Sequence, residues 1–92
     1  PAAEAHRVGL VNYVLPPEQL EEVTMTIARN LASKSPHTIR VAKRAVRAAL
    51  ERPLSEGLRF ERDEFCALFD TEDKEVGVQA FLDRSDPEWT GR

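Results

Sequence analysis

The chain has few of the residues on which chemistry usually depends. Cys66 is the only cysteine among 92 residues, so no intramolecular disulfide can form, and we expect it to be a small buried side chain on a helix. The two histidines have no partners at metal-ligand spacing and the four glycines are scattered, so neither a metal site nor a phosphate-cradling loop is predicted. No apolar run approaches the ~18–20 residues that span a membrane. No targeting signal is present either, which favours a cytoplasmic protein.

Composition and charge favour a soluble helical domain. Hydrophobic residues make up 41% of the chain and charged residues 32%, a balance that argues against disorder. The net charge of −3 disfavours non-specific binding to nucleic acid. Residues 1–52 have eight basic and five acidic side chains (+3), whereas residues 53–92 have five basic and eleven acidic ones (−6). The two halves should therefore attract each other, or the opposite halves of a sister chain.

Most of the chain is predicted to be helical. Apolar residues recur at helical spacing between proline-containing breaks, and Ser35-Pro36 is typical of a helix start. The predicted helices cover residues 17–34, 36–51, 54–69 and 72–84, followed by an irregular tail that Trp89 anchors by packing. The apolar side chains of the second helix fill an arc of ~200° at 100° per residue. One neighbour cannot cover so wide an arc, and we infer that this helix is sandwiched.

The N-terminal stretch contains a lone strand candidate at residues 9–15. A strand needs a partner for its backbone donors and acceptors, and nothing later in the chain resembles one. The chain also opens on Pro1 without an initiator methionine. We therefore expect the partners of this strand, and any catalytic residues, to lie in upstream sequence outside the chain.

Two carboxylates, Glu61 and Glu64, stand three positions apart on the third predicted helix, at a distance that suits cooperating groups. Ion-pair networks produce the same pattern, so a structural role is favoured. Glu61 falls within an apolar stripe and requires a partner if it is buried. Lys43 or Arg44 of the second helix could supply that partner.

A basic stripe runs along the second predicted helix. It consists of Arg40, Lys43, Arg44 and Arg47, at positions i, i+3, i+4 and i+7. Two interpretations remain open. The stripe is either a solvated face that pairs with the acidic second half of the chain, or a surface that contacts an anionic ligand or an acidic partner.

The order of several short segments resembles a known family. GLVNYVLP, LASKSP, EGLRFE and an acidic helix that ends in AFLDR follow one another at characteristic spacing. Together they are similar to the C-terminal end of the crotonase superfamily, the enoyl-CoA hydratases and isomerases. The resemblance covers essentially the whole chain and is specific for the family, but not for one reaction within it.

The resemblance implies a division of the chain. Residues 1–16 would be the end of an N-terminal spiral domain of β/α repeats, and residues 17–92 the C-terminal helical domain that covers the acyl-CoA site. The expected fold class is mainly α, with a strand remnant before three or four helices. The partners would be sister subunits in a homotrimer or a dimer of trimers, with no nucleic acid and no membrane. The acid/base glutamates and the oxyanion hole of the family would lie upstream, so no catalytic residue is assigned here and the chain alone should be inactive.

Within AFLDR, the resemblance implies that Phe81 and Arg84 contact coenzyme A. Phe81 would pack on the adenine or pantetheine, and Arg84 would pair with a phosphate. The substrate would be an acyl-CoA, with no separate cofactor, and hydration of a 2-enoyl-CoA is the favoured reaction. The alternative is a self-associating helical interaction module, in which Phe81 belongs to a core and Arg84 is a surface charge.

Overall fold

A computed structural model describes residues 1–92. Its elements are α1 (Ala2–Arg7), α2 (Pro17–Ala32), α3 (Pro36–Glu51), α4 (Leu54–Ala67), a 3₁₀ helix (Leu68–Asp70) and α5 (Glu72–Asp83). The mainly helical fold class is confirmed. Residues 1–30 and residues 31–92 form two separate compact units. No helix combines the length and the apolar character that crossing a membrane requires.

The predicted strand at residues 9–15 is absent, and the structure has no strand elsewhere. The short helix α1 precedes this stretch instead, and it ends at a glycine with φ of 79°, Gly9. The amide of Gly9 donates to the carbonyl of His6 at 3.0 Å and the amide of Leu10 to that of Ala5 at 2.8 Å, the two bonds of a Schellman motif. These amides close a helix and are not available to a strand partner.

The three longer helices of the second unit begin where the sequence predicts. Ser35 caps α3 by accepting a hydrogen bond from the amide of Thr38 at 3.3 Å, and Pro36 occupies the first turn. Thr71 caps α5 in the same way, through the amide of Lys74 at 3.2 Å. The predicted division of the chain at residue 16 stays a prediction.

Helices α3 and α4 pack against each other through a close backbone approach. Gly57 of α4 is buried, and a Cβ placed on it would lie 3.6 Å from the Cα of Ala49 on α3. Across the same interface Arg44 pairs with Glu64, with 2.6 Å between Nη2 and Oε2. The ion pair expected between these helices therefore exists, but its acid is Glu64 and not Glu61, which is exposed. The two glutamates are neighbours on the helix surface, about one turn apart along its axis.

The chain buries very little apolar surface within itself. Val41, Ala48 and Ala80 are its only buried hydrophobic residues, whereas 18 large hydrophobic side chains are exposed. On α3, Val46 and Leu50 are 63% and 84% exposed, so this chain does not cover that part of the apolar arc. The inferred second neighbour of α3 therefore has to come from elsewhere and stays a prediction. Exposed apolar residues also lie on α4 and on the 3₁₀ helix that follows it, namely Leu54, Leu58 and Phe65 on α4 and Phe69 on the 3₁₀ helix.

Candidate functional site

The candidate site lies at the C-terminal end of α5, where Arg84 follows the last helical residue. Arg84 has φ of 54° and ψ of 41°, the left-handed conformation. Its amide donates to the carbonyl of Phe81 at 3.3 Å, and the amide of Ser85 donates to that of Ala80 at 2.9 Å. These bonds form a second Schellman motif. The helix ends at Asp83, one residue before the predicted end at residue 84, and the side chain of Arg84 leaves the helical periodicity.

The two Schellman motifs of the chain differ at their left-handed position. Gly9 occupies it after α1, as is usual, whereas Arg84 occupies it after α5. A left-handed conformation costs a residue with a Cβ about 1–2 kcal/mol. Arg84 is the only residue other than glycine with a positive φ in the structure. Such outliers cluster at functional sites, where a side chain is held in place for a purpose other than stability.

Phe81 extends away from the rest of the chain. Its side chain is 83% exposed, and its neighbours on the same end of α5, Val78 and Leu82, are 47% and 68% exposed. Phe81 is therefore not part of a core within this chain. An aromatic ring presented in this way is suited to stack on another flat group or to pack into an apolar surface.

The acidic residues close to Arg84 in sequence do not neutralise its charge. Arg84 forms no ion pair, although carboxylates precede and follow it at Asp83 and Asp86. The side-chain amide of Gln79 donates to the Asp83 carboxylate at 2.9 Å, one helical turn earlier. The guanidinium group of Arg84 is thus a free cation at the negative end of the dipole of α5.

A groove of about 540 Å³ lies on the other side of the same helix end. Residues of α5 and of the following tail line it, and four of them are acidic: Glu75, Asp83, Asp86 and Glu88. A phosphate would be repelled from this groove. Near this end of α5 the structure therefore offers an anionic group one favourable contact, the guanidinium of Arg84.

The tail that forms one wall of the groove is fixed by a buried carboxylate, Asp73. It accepts hydrogen bonds from the hydroxyl of Ser35, from the amide and hydroxyl of Thr90 at 2.7 and 2.9 Å, and from the amide of Gly91 at 3.1 Å. Burial raises the pKa of the Asp73 carboxyl, but these hydrogen bonds outweigh burial and hold the pKa below its ordinary value. Asp73 is therefore ionised at neutral pH.

Trp89 provides the second anchor of the tail, as predicted. Its indole NH donates to the carbonyl of Ser33 at 2.7 Å. Its ring lies over Gly77 of α5, where an added Cβ would come within 3.1 Å of the ring carbon Cη2. The absence of a side chain at Gly77 is what lets the indole lie against the helix.

The other residues singled out in the sequence form no catalytic group. Glu64 forms an ion pair with Arg44, and Glu61 is exposed. Cys66 is exposed, contrary to the prediction. No group of three or more His, Cys, Asp and Glu side chains is placed to hold a metal ion.

The basic stripe of α3 divides into two parts. Arg44 pairs with an acid of the second half, as one interpretation requires. The remaining three members form no ion pair and are exposed: Arg40, Lys43 and Arg47.

Known proteins are similar to this chain over its full length. The model of the enoyl-CoA hydratase/isomerase family matches residues 1–92. A probable enoyl-CoA hydratase of Rhizobium meliloti is 45% identical over 99% of this chain and 35% of its own length. A probable mitochondrial enoyl-CoA hydratase of Dictyostelium discoideum is 42% identical over 96% of this chain and 32% of its own. The chain thus spans about a third of the length of the curated relatives it matches.

Several solved structures that resemble this chain are also enoyl-CoA hydratases. An enoyl-CoA hydratase of Bacillus anthracis superposes with a TM-score of 0.90 at 35% identity, over 99% of this chain and 35% of that one. An enoyl-CoA hydratase subunit I of Geobacillus kaustophilus gives a TM-score of 0.84 at 44% identity, with the same coverage. The helical arrangement described above is that of the C-terminal part of crotonase-fold proteins. From its first residue to its last, the chain belongs to the enoyl-CoA hydratase/isomerase family.

Proposed function

We propose that the chain is the C-terminal part of an enzyme that adds water to the double bond of a 2-enoyl-CoA. Several relatives are named for hydration or dehydration of CoA thioesters, among them a 2,3-dehydroadipyl-CoA hydratase of Escherichia coli and a carnitinyl-CoA dehydratase of Salmonella heidelberg. Their names favour hydration over double-bond isomerisation. The chain contributes binding and assembly, and the acid/base groups lie in the rest of the enzyme.

The observation that carries the binding role is the pairing of an exposed ring with an unpaired cation at one helix end. Phe81 is 83% exposed, and Arg84 has a backbone conformation that is unfavourable for any residue with a Cβ. A base stacked on an aromatic side chain gains about 1–3 kcal/mol, and a guanidinium group binds phosphate through two parallel hydrogen bonds. Adenine on Phe81 and phosphate on Arg84 use both groups.

The charge of the surroundings makes Arg84 decisive for such a ligand. Coenzyme A is a polyanion, and the helix end and the adjoining groove are also negatively charged. Without the guanidinium group, a phosphate in this position would meet only repulsion. Binding energy gained here is remote from the reacting carbons and holds the thioester in place for chemistry elsewhere in the enzyme.

A second candidate function, self-association, is favoured by a different observation. The exposed apolar faces of α3 and α4 are too extensive for a stable free surface and require a covering partner. Sister subunits, in a homotrimer or a dimer of trimers, are the partners proposed for them. On this alternative Phe81 and Arg84 contact protein, and the region has no direct role in ligand binding.

One experiment separates the two candidates in the full-length enzyme. Arg84→Gly removes the guanidinium group and suits the left-handed backbone, while Arg62→Ala removes a different exposed charge from α4 as the matched control. Calorimetric titration with coenzyme A measures affinity, and light scattering after size exclusion measures assembly. Weaker binding with unchanged mass in Arg84→Gly alone supports the CoA contact. Unchanged affinity with smaller species refutes it and supports the interaction module.

The catalytic half of the proposal has its own test. The 92-residue chain is expected not to turn over 2-butenoyl-CoA, because neither Glu61 nor Glu64 is arranged with a partner for acid/base chemistry. The full-length enzyme should hydrate it. Turnover by the purified 92-residue chain would contradict the placement of the catalytic groups outside it.

A further inference from the structure

A side-chain hydrogen bond joins two residues of the last turn of α5, directly before Arg84. The side-chain Nε2 of Gln79 lies 2.9 Å from Oδ2 of Asp83, an i, i+4 pair on the surface of α5. Asp83 is the carboxylate nearest to Arg84 in sequence. While Gln79 holds it, this carboxylate is directed back along the helix.

Two bases elsewhere in the chain are paired with an acid close by in sequence. Lys74 contacts its immediate neighbour Glu75 at 2.9 Å on the same helix. Arg7 pairs with Glu4, three residues away. Arg84, with Asp83 on one side, stays unpaired. The Lys74–Glu75 contact shows that adjacent residues of this chain can form an ion pair, so Asp83 is close enough in sequence to pair with Arg84.

We propose that Gln79 is a positioning residue for ligand binding: by holding Asp83, it keeps the guanidinium group of Arg84 free for a phosphate of the CoA thioester. This inference rests on the proposed function, because it presupposes that Arg84 binds the phosphate. Gln79 itself touches neither ligand nor reacting atoms. Its role is to prevent the protein's own carboxylate from occupying the position of the ligand.

The size of the effect follows from the strength of the ion pair that Gln79 prevents. A pair between exposed side chains is weak, so Arg84 would be captured only part of the time. The apparent dissociation constant rises in inverse proportion to the fraction of free arginine. An increase of about two- to five-fold is expected when Gln79 is removed. Salt screens exposed charges, so the increase should be largest at low ionic strength.

The test uses four variants of the full-length enzyme and coenzyme A as the probe: Gln79→Ala, Asp83→Asn, the double variant, and Arg84→Gly. Calorimetric titration at low salt gives the dissociation constant, and kinetics with 2-butenoyl-CoA give KM and kcat. Gln79→Ala should raise the dissociation constant and KM two- to five-fold and leave kcat unchanged. Adding Asp83→Asn should restore both constants, because no carboxylate remains to capture Arg84.

The outcomes distinguish this inference from the function on which it rests. Weaker binding in Arg84→Gly together with unchanged binding in Gln79→Ala overturns the role of Gln79 and leaves the CoA contact intact. A loss in Gln79→Ala that Asp83→Asn does not restore also overturns it, because Gln79 would then act other than through Asp83. Unchanged binding in Arg84→Gly overturns the CoA contact itself. Alanine is a better helix former than glutamine, so Gln79→Ala should fold.

Discussion

Replacing Arg84 by glycine should make the enzyme more stable while it weakens binding. The left-handed conformation of Arg84 costs a residue with a Cβ about 1–2 kcal/mol, which glycine avoids. Glycine also lowers the free energy of unfolding by about 0.5–1 kcal/mol, because it gives the unfolded chain more conformational freedom. At the middle of each range, the free energy of unfolding should therefore rise by about 0.75 kcal/mol.

The gain is measurable as a shift in the melting temperature of the full-length enzyme. In chains of 150–250 residues, 1 kcal/mol moves Tm by about 2–4 °C, so Arg84→Gly should melt about 1.5–3 °C higher. Its affinity for coenzyme A should fall about tenfold, which corresponds to about 1.4 kcal/mol for a charge-assisted contact. Arg84→Ala loses the same charge but keeps the backbone strain. It should therefore lose affinity equally without the gain in Tm.

The left-handed glycine after α1 provides the matched control. Gly9 has φ of 79° and open space around an added Cβ, so Gly9→Ala tests the backbone cost with no steric term. It should lower Tm by an amount comparable to the gain from Arg84→Gly. If Arg84→Gly melts no higher than Arg84→Ala, the backbone at residue 84 is not strained, and the argument that Arg84 is retained for its charge fails.

Three further predictions concern the helical unit. Asp73→Asn should free the tail, seen as a shift of the emission of Trp89, the only tryptophan, to longer wavelength. Hydrogen bonds lower the pKa of Asp73, so its contribution to stability is present above the ordinary carboxyl pKa of about 3.9 and is lost as pH falls through the lower folded pKa. If the unmodified protein is acidified and its emission already shifts near neutral pH, this account is contradicted. Gly57→Ala should raise the free energy of unfolding by up to about 1 kcal/mol from helix propensity, because the added Cβ meets its neighbours at ordinary contact distance; a lower Tm would show that α3 and α4 must separate. A double-mutant cycle between Arg44 and Glu64 should give a coupling of about 0.2–1 kcal/mol, and a value indistinguishable from zero would remove this ion pair as a link between the helices.

Features that depend on neighbouring residues could be read from the sequence. The start of α3 is fixed by Ser35 and Pro36, a cap and a first-turn proline next to each other, and the prediction is confirmed. The helix α1 was missed although its signals are equally local. The alternation after Gly9 predicts a strand that begins there, whereas glycine after an alanine-rich stretch is also the usual end of a helix.

Features that depend on distant residues could not be read in this way. In sequence, Asp73 is one of several acids at the start of α5, and nothing near it indicates that Thr90, 17 residues later, donates hydrogen bonds to it. The choice between Glu61 and Glu64 as the partner of Arg44 depends on how α4 is positioned against α3, which the exposed apolar stripe of α4 does not determine. The sequence does not decide whether Phe81 belongs to a core or contacts a ligand, and its exposure in the structure excludes the core of this chain.

The anchoring of the tail has a consequence for the order of folding. The indole of Trp89 binds a carbonyl 56 residues earlier, and the hydroxyl of Ser35 binds a carboxylate 38 residues later, whereas the helices themselves form from local contacts. Closing such long loops is slow unless the intervening segments are already compact. The tail should therefore dock after the helices have assembled, as a late step that leaves the folding rate almost unchanged. Its loss would instead accelerate unfolding, so that these last residues act chiefly on the lifetime of the folded state.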